Sequence, residues 1–107
     1  MKESEWRKFK KLRKICLERF CDQVLSEAKS VCSSRDQSSQ ERYYDLYQLI
    51  HDKDKELAKA FDGLSRNKAF IQLMLMFRMG LVEEWQLDEF EDETKDKIRE
   101  FTKMNRS

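Results

Sequence analysis

The chain has 107 residues, 40% of them charged, with no proline, two glycines and a net charge of +1. That length allows one small domain of residues 1–107 and excludes a second core; scarce turn formers and long runs of Glu, Lys, Leu, Arg and Ala exclude a sheet-rich fold. An all-α compact bundle of four to five helices with a long N-terminal helix remains. The charge is unevenly spread: residues 1 to 20 hold eight Lys/Arg against three Glu, and residues 83 to 100 hold nine Asp/Glu against three Lys/Arg. The two ends should therefore attract each other, side by side in one chain or head to tail between subunits.

Ser4 suits an N-cap, and from there to Val31 the apolar residues Trp6, Phe9, Leu12, Cys16, Leu17, Phe20, Val24, Leu25, Ala28 and Val31 recur at three and four. This predicts a first helix roughly 40 Å long. Its opposite face carries Arg7, Lys8, Lys11, Lys14 and Arg19, while Lys10 and Arg13 intrude on the apolar side. On such a helix Cys16 and Cys21 diverge, and Cys21 and Cys32 share a face three turns apart, so neither pair can close a disulfide. Reduced, partly buried thiols in a cytoplasmic protein are expected, with no signal peptide, because the charged start is followed by no apolar run.

Residues 33 to 40, SSRDQSSQ, form the polar connector. Ser38 and Glu41 make a capping box that opens a second helix running to Asp62 and stopping at Gly63, which suits a left-handed position. Tyr43, Tyr47, Ile50, Leu57 and Phe61 define the apolar face of this helix, and Asp54 falls in the middle of it. A carboxylate buried there needs a partner, and a tyrosine hydroxyl, Gln72, Arg66 and Arg78 are the candidates. Tyr47, His51, Asp54 and Gln72 thus form the expected buried polar cluster. Tyr47, His51 and Asp54 could alternatively line a pocket in which a carboxylate and an imidazole handle a proton, or meet across a subunit interface.

Ser65 suits a cap for the third helix and Gly80 suits its end, so this helix should pack antiparallel to the second across a short turn. The stretch from Ala69 to Val82, AFIQLMLMFRMGLV, is the most apolar of the chain. Phe70, Leu73, Met74, Phe77 and Leu81 fall on one helical face and Ile71, Leu75, Met79 and Val82 on another, which predicts a core helix apolar around most of its circumference. It is too short for a bilayer and carries Gln72 and Arg78. Leu81, Val82, Trp85, Leu87 and Phe90 suit a short fourth helix, and Asp92 suits the cap of a last one carrying Ile98, Phe101 and Met104, with the final residues frayed. No internal repeat is present.

His51 is the only histidine. There is no Glu-x-x-His, His-Glu-x-x-His or Cys-x-x-Cys, the acidic run EEWQLDEFEDE from Glu83 lacks the spaced ligands and glycine of an EF-hand, and two glycines cannot build a phosphate loop. Thiols on or beside an apolar face are inert by default. The sequence therefore offers no metal site, no cofactor and no catalytic set better than Tyr47, His51 and Asp54.

The segment from Glu41 to Phe90, with ERYYDLYQLIHDKDKELAKAFDGLSRNKAFIQL followed by GLVEEWQLDEF, resembles a group of small uncharacterised all-helical bacterial proteins found as gene-cassette products of mobile elements. The resemblance implies a soluble cytoplasmic accessory protein and brings no activity with it.

A long first helix and an all-round apolar third helix offer more apolar face than a monomer of this size covers. The leading expectation is a non-enzymatic protein-interaction module, most simply a homodimer, with Trp6, Phe9, Phe20, Met74, Met76, Met79 and Trp85 as contact residues. The alternative is a small nucleic-acid-binding regulator using Arg7, Lys8, Lys11, Lys14 and Arg19. An enzyme built on Tyr47, His51 and Asp54 comes third, and a membrane-surface role is weaker because Glu3, Glu5 and Glu18 dilute the basic segment.

Overall fold

Glu3–Cys32 form one uninterrupted helix, α1, in a computed structural model that describes residues 1–104. It is followed by α2 (Ser39–Phe61), α3 (Ala69–Arg78), the single turn α4 (Glu84–Leu87) and α5 (Asp92–Met104), and no strand occurs among the described residues. The expected fraying of the last residues concerns 105–107, which lie outside the described part, as does the side chain of Met104.

Local chemistry sets most of the boundaries. Ser38 Oγ accepts from the Glu41 N–H at 3.1 Å and the Glu41 carboxylate accepts from the Ser38 N–H at 3.3 Å, the expected capping box. Gly63 and Gly80 follow α2 and α3 with φ of +69° and +76°, a region that costs other L-residues about 1–2 kcal/mol. The Leu81 N–H reaches back to the Met76 carbonyl at 3.0 Å, closing the end of α3. Two caps fall elsewhere than predicted. Ser4 lies inside α1, whose preceding residue Lys2 makes no side-chain cap; instead Arg66 holds the start of α1 by donating to the Met1 carbonyl at 2.9 Å and to Glu3 at 2.8 Å. Ser65 accepts from the Lys68 N–H at 3.3 Å and so closes a turn that precedes α3.

α1 and α2 run antiparallel, as their cross-contacts show. Arg13 meets Phe61, Phe20 meets Phe61, Lys53 pairs with Glu27, and Arg42 meets Cys32. An arginine from each helix closes the other's C-terminus: Arg42 donates to the Cys32 carbonyl at 2.7 Å, and Arg13 to the Phe61 carbonyl at 2.6 Å. Both interactions satisfy carbonyls that helix geometry leaves open.

The core lies at one end of this hairpin. Phe9, Leu12, Cys16, Phe20 and Val24 of α1 pack with Ala60 and Phe61 of α2, Ala69, Leu73 and Met76 of α3, and Leu81, Val82, Leu87, Phe90 and Ile98 beyond. No residue between Val24 and Ala60 is buried. Past Val24 the hairpin is therefore a two-layer arm with a half-buried seam that includes Ala28, Val31, Leu46 and Leu49, which accounts for the 51 × 29 × 21 Å extents. α3 buries Ala69, Gln72, Leu73 and Met76, whereas Ile71 is 56% exposed. The helix predicted to be apolar around most of its circumference is covered fully on one side only, because α1, α2 and α5 supply its neighbours and the outer side has none.

Within the acidic segment of residues 83 to 100, three cations engage four of the nine carboxylates. Arg99 pairs with Glu84 and Asp88, Lys95 with Asp88 and Asp92, and Lys97 with Glu93. Among the described residues, one ion pair, Lys2 to Glu91 at 3.3 Å, joins the basic first twenty residues to the acidic segment from Glu83 onward. The predicted attraction of the two ends is reduced to that contact within the chain.

Candidate interaction surfaces

Three of the seven predicted contact residues are spent on the chain's own core. Phe9 and Met76 are fully buried and Phe20 is 6% exposed, so none is available to a partner. Trp6, Met74 and Met79 are half-buried against the same core, Trp6 stacking on Phe9 with ring centroids 5.9 Å apart. Trp85 is exposed, its indole N–H donating to Glu83, and it lines a shallow cleft with Ile15 and Leu12.

The expected buried polar cluster does not form. Asp54 is exposed and needs no buried partner, since the lower part of the α2 face, Leu57 and Phe61, meets the core while the part around Asp54 lies on the arm. Of its proposed partners, Arg66 is engaged with Met1 and Glu3, and Gln72 is buried elsewhere, donating to the Asp62 carbonyl at 2.7 Å to close the end of α2. Tyr47 and His51 stack with centroids 5.8 Å apart in the open, and no hydrogen bond among the described residues links either to Asp54.

The buried carboxylate is Glu5, which the 3.6-residue period places on the apolar face of the first helix, four residues before Phe9 and seven before Leu12. It is 3% exposed and faces the Thr94 hydroxyl of α5. The thiols also divide differently from expectation: Cys16 is buried, its Sγ donating to the Leu81 carbonyl at 3.3 Å, while Cys21 and Cys32 are exposed rather than partly buried. Burial pushes the Cys16 thiol up to about 11, with the Arg19 charge acting in the opposite direction. No group of His, Cys, Asp and Glu suited to a metal occurs among the described residues, and no helix is long and apolar enough to cross a membrane.

Two surfaces stand out once these residues are placed. The first is on the arm. Tyr43, Tyr47 and Ile50 form the exposed continuation of the α2 stripe, at 76%, 57% and 40% exposure, with Tyr44 beside them and Leu25 of α1 at 65%. Leu25, Ile50, Phe20, Val24 and Leu57 line an open groove of about 290 Å³ between the two helices, so the exposed stripe is continuous with the core. Tyr43 to His51 carries a single charge, Asp45, in a chain that is 40% charged, and Asp45 is already engaged by Gln37.

The second is the basic side of α1. Of the five predicted cations, Arg19 is half-buried and structural, donating to the Leu81 carbonyl and to Gln86 Oε1, both at 2.7 Å, and Lys8 donates to the Glu89 carbonyl at 2.6 Å. Arg7, Lys11 and Lys14 remain exposed. Lys10 and Arg13, which the sequence assigns to the apolar side, join them around one open cleft of about 450 Å³ with Leu64. The missed signal is the 3.6-residue period itself, which puts Lys10 next to Arg7 and Lys14 rather than with Phe9.

Comparison of the chain with protein-family models, with curated proteins and with solved structures gives no match.

Proposed function

We propose that the chain is a non-enzymatic protein-interaction module that self-associates through the arm of the α1–α2 hairpin. The observation that carries this reading is the exposed stripe Tyr43, Tyr47 and Ile50 with Leu25, lying beyond the reach of the core. Two packed helices have no interior of their own, and layered folds become stable when each apolar face is covered by another element. Pairing two such hairpins face to face makes a four-helix layer and buries both stripes in one isologous contact. Aromatic enrichment with depleted charge is the composition of an interface centre. The contact set therefore moves from Phe9, Phe20 and Met76 to Leu25, Tyr43, Tyr47 and Ile50. An accessory role in a bacterial cytoplasm belongs to the same proposal and is supported by the resemblance of residues 41–90 alone.

Light scattering across a concentration and salt series tests it. The wild-type chain is expected to be a dimer whose mass does not change with salt, and Leu25→Asp and Tyr47→Asp, at positions exposed within one chain, are expected to give folded monomers. A wild-type monomer at every concentration would overturn self-association.

A further inference from the structure

We propose that the basic side of α1, formed by Arg7, Lys10, Lys11 and Lys14 around the Leu64 cleft, binds the phosphodiester backbone of a nucleic acid. The site is separate from the arm and does not depend on self-association. Positions 7, 10, 11 and 14 span two turns, so their cations follow one another at one-turn spacing along one side of a straight helix. Such a row suits a ligand whose negative charges are themselves in a row.

The cations are also available. Lys10, Lys11 and Lys14 have no carboxylate or hydrogen-bond partner among the described residues, Lys10 instead lying 5.3 Å over the Trp6 ring. Arg7 shares Glu3 with Arg66, at 3.4 and 2.8 Å. Arg13 adds charge to the floor, where its guanidinium is fixed to the Phe61 carbonyl and lies 5.8 Å over the Phe61 ring with Nε unpartnered. Four carboxylates of the acidic segment, Glu84, Asp88, Asp92 and Glu93, pair with Lys95, Lys97 and Arg99 rather than with this side, while Glu89 lines a neighbouring cleft with Lys8 and Lys11. Segregation of this kind gives a local positive field on a chain whose net charge is only +1.

A phosphate backbone fits this side better than a bilayer. Most of the apolar face of α1 alongside these cations is consumed, with Phe9, Leu12 and Cys16 at 0–6% exposure, which leaves Ile15, at 44%, in place of a broad face to insert beneath lipid headgroups. What it presents is a rigid charged ridge with one exposed leucine, Leu64, in the cleft.

Fluorescence anisotropy with a labelled single-stranded oligodeoxythymidine and with a labelled duplex, each over a salt series, tests the proposal. Binding at low salt to one or both probes is expected, with a log–log salt slope between about −2 and −4 for three to four phosphates contacted. The triple variant Lys10→Gln, Lys11→Gln, Lys14→Gln should lose that binding and keep a urea midpoint close to wild type, because none of the three holds a carboxylate or hydrogen-bond partner and only Lys10 makes a ring contact, with Trp6. Lys29→Gln, Lys55→Gln, Lys59→Gln removes the same charge from α1 and α2 outside the cleft and should bind like wild type. Equal losses in the two triple variants, no binding to either probe at low salt, or binding to phosphatidylserine vesicles without binding to either probe would each overturn it.

Discussion

Thr94 Oγ1 of α5 lies 2.8 and 3.1 Å from the two carboxylate oxygens of Glu5 in α1, a contact across 89 positions that ties the last helix to the first. Glu5 is almost fully buried, and no other hydrogen bond to its carboxylate occurs among the described residues. Removing one partner of a buried polar pair leaves the other to bear its full desolvation cost, about 1–3 kcal/mol or more for a charged group. Thr94→Val should therefore lower the urea-derived stability by that amount, while Thr94→Ser, which restores the hydroxyl, should recover most of it. A Thr94→Val midpoint equal to wild type would show that the contact contributes nothing.

Cys16 supplies a pH dependence with a definite sign. Its thiol is held at about 11 in the folded chain by burial, against an ordinary value of 9.0. Between these values the folded state keeps a proton that the unfolded state has released, so this contribution to stability is fully present below about pH 9 and is lost as pH rises through 11. The stability difference between wild type and Cys16→Ala should accordingly shrink across that window. In native protein at pH 8 a thiol reagent should modify Cys21 and Cys32 and leave Cys16 untouched until urea is added; rapid modification of all three would contradict the packing of α1 against Leu81.

Leu73 and Ile71 sit two positions apart on α3 and should respond very differently to truncation. Leu73 is fully buried, and Leu73→Ala should cost about 2–5 kcal/mol through lost contacts and the cavity left behind. Ile71 is more than half exposed, so Ile71→Ala should fall within about 0.5 kcal/mol of wild type when measured at concentrations where the chain is monomeric. Equal losses at the two positions would mean that α3 is covered on both sides.

Much of the fold was legible before any coordinates. The 3.6-residue period, the Ser38–Glu41 box and the two glycines at positive φ are properties of a few neighbouring residues, so the sequence by itself determined an all-helical chain, a long first helix, the polar connector and the ends of α2 and α3. Sequence periodicity also marked Tyr43, Tyr47 and Ile50 as one apolar stripe. Only the tertiary structure decided which stripes find cover: the core closes around Phe61 and stops short of Ile50, it takes Phe9 and Met76 for itself, and it buries Glu5 while leaving Asp54 in the open. The reason is that periodicity states which residues share a face, whereas burial depends on what else in the chain is long enough, and close enough, to reach that face.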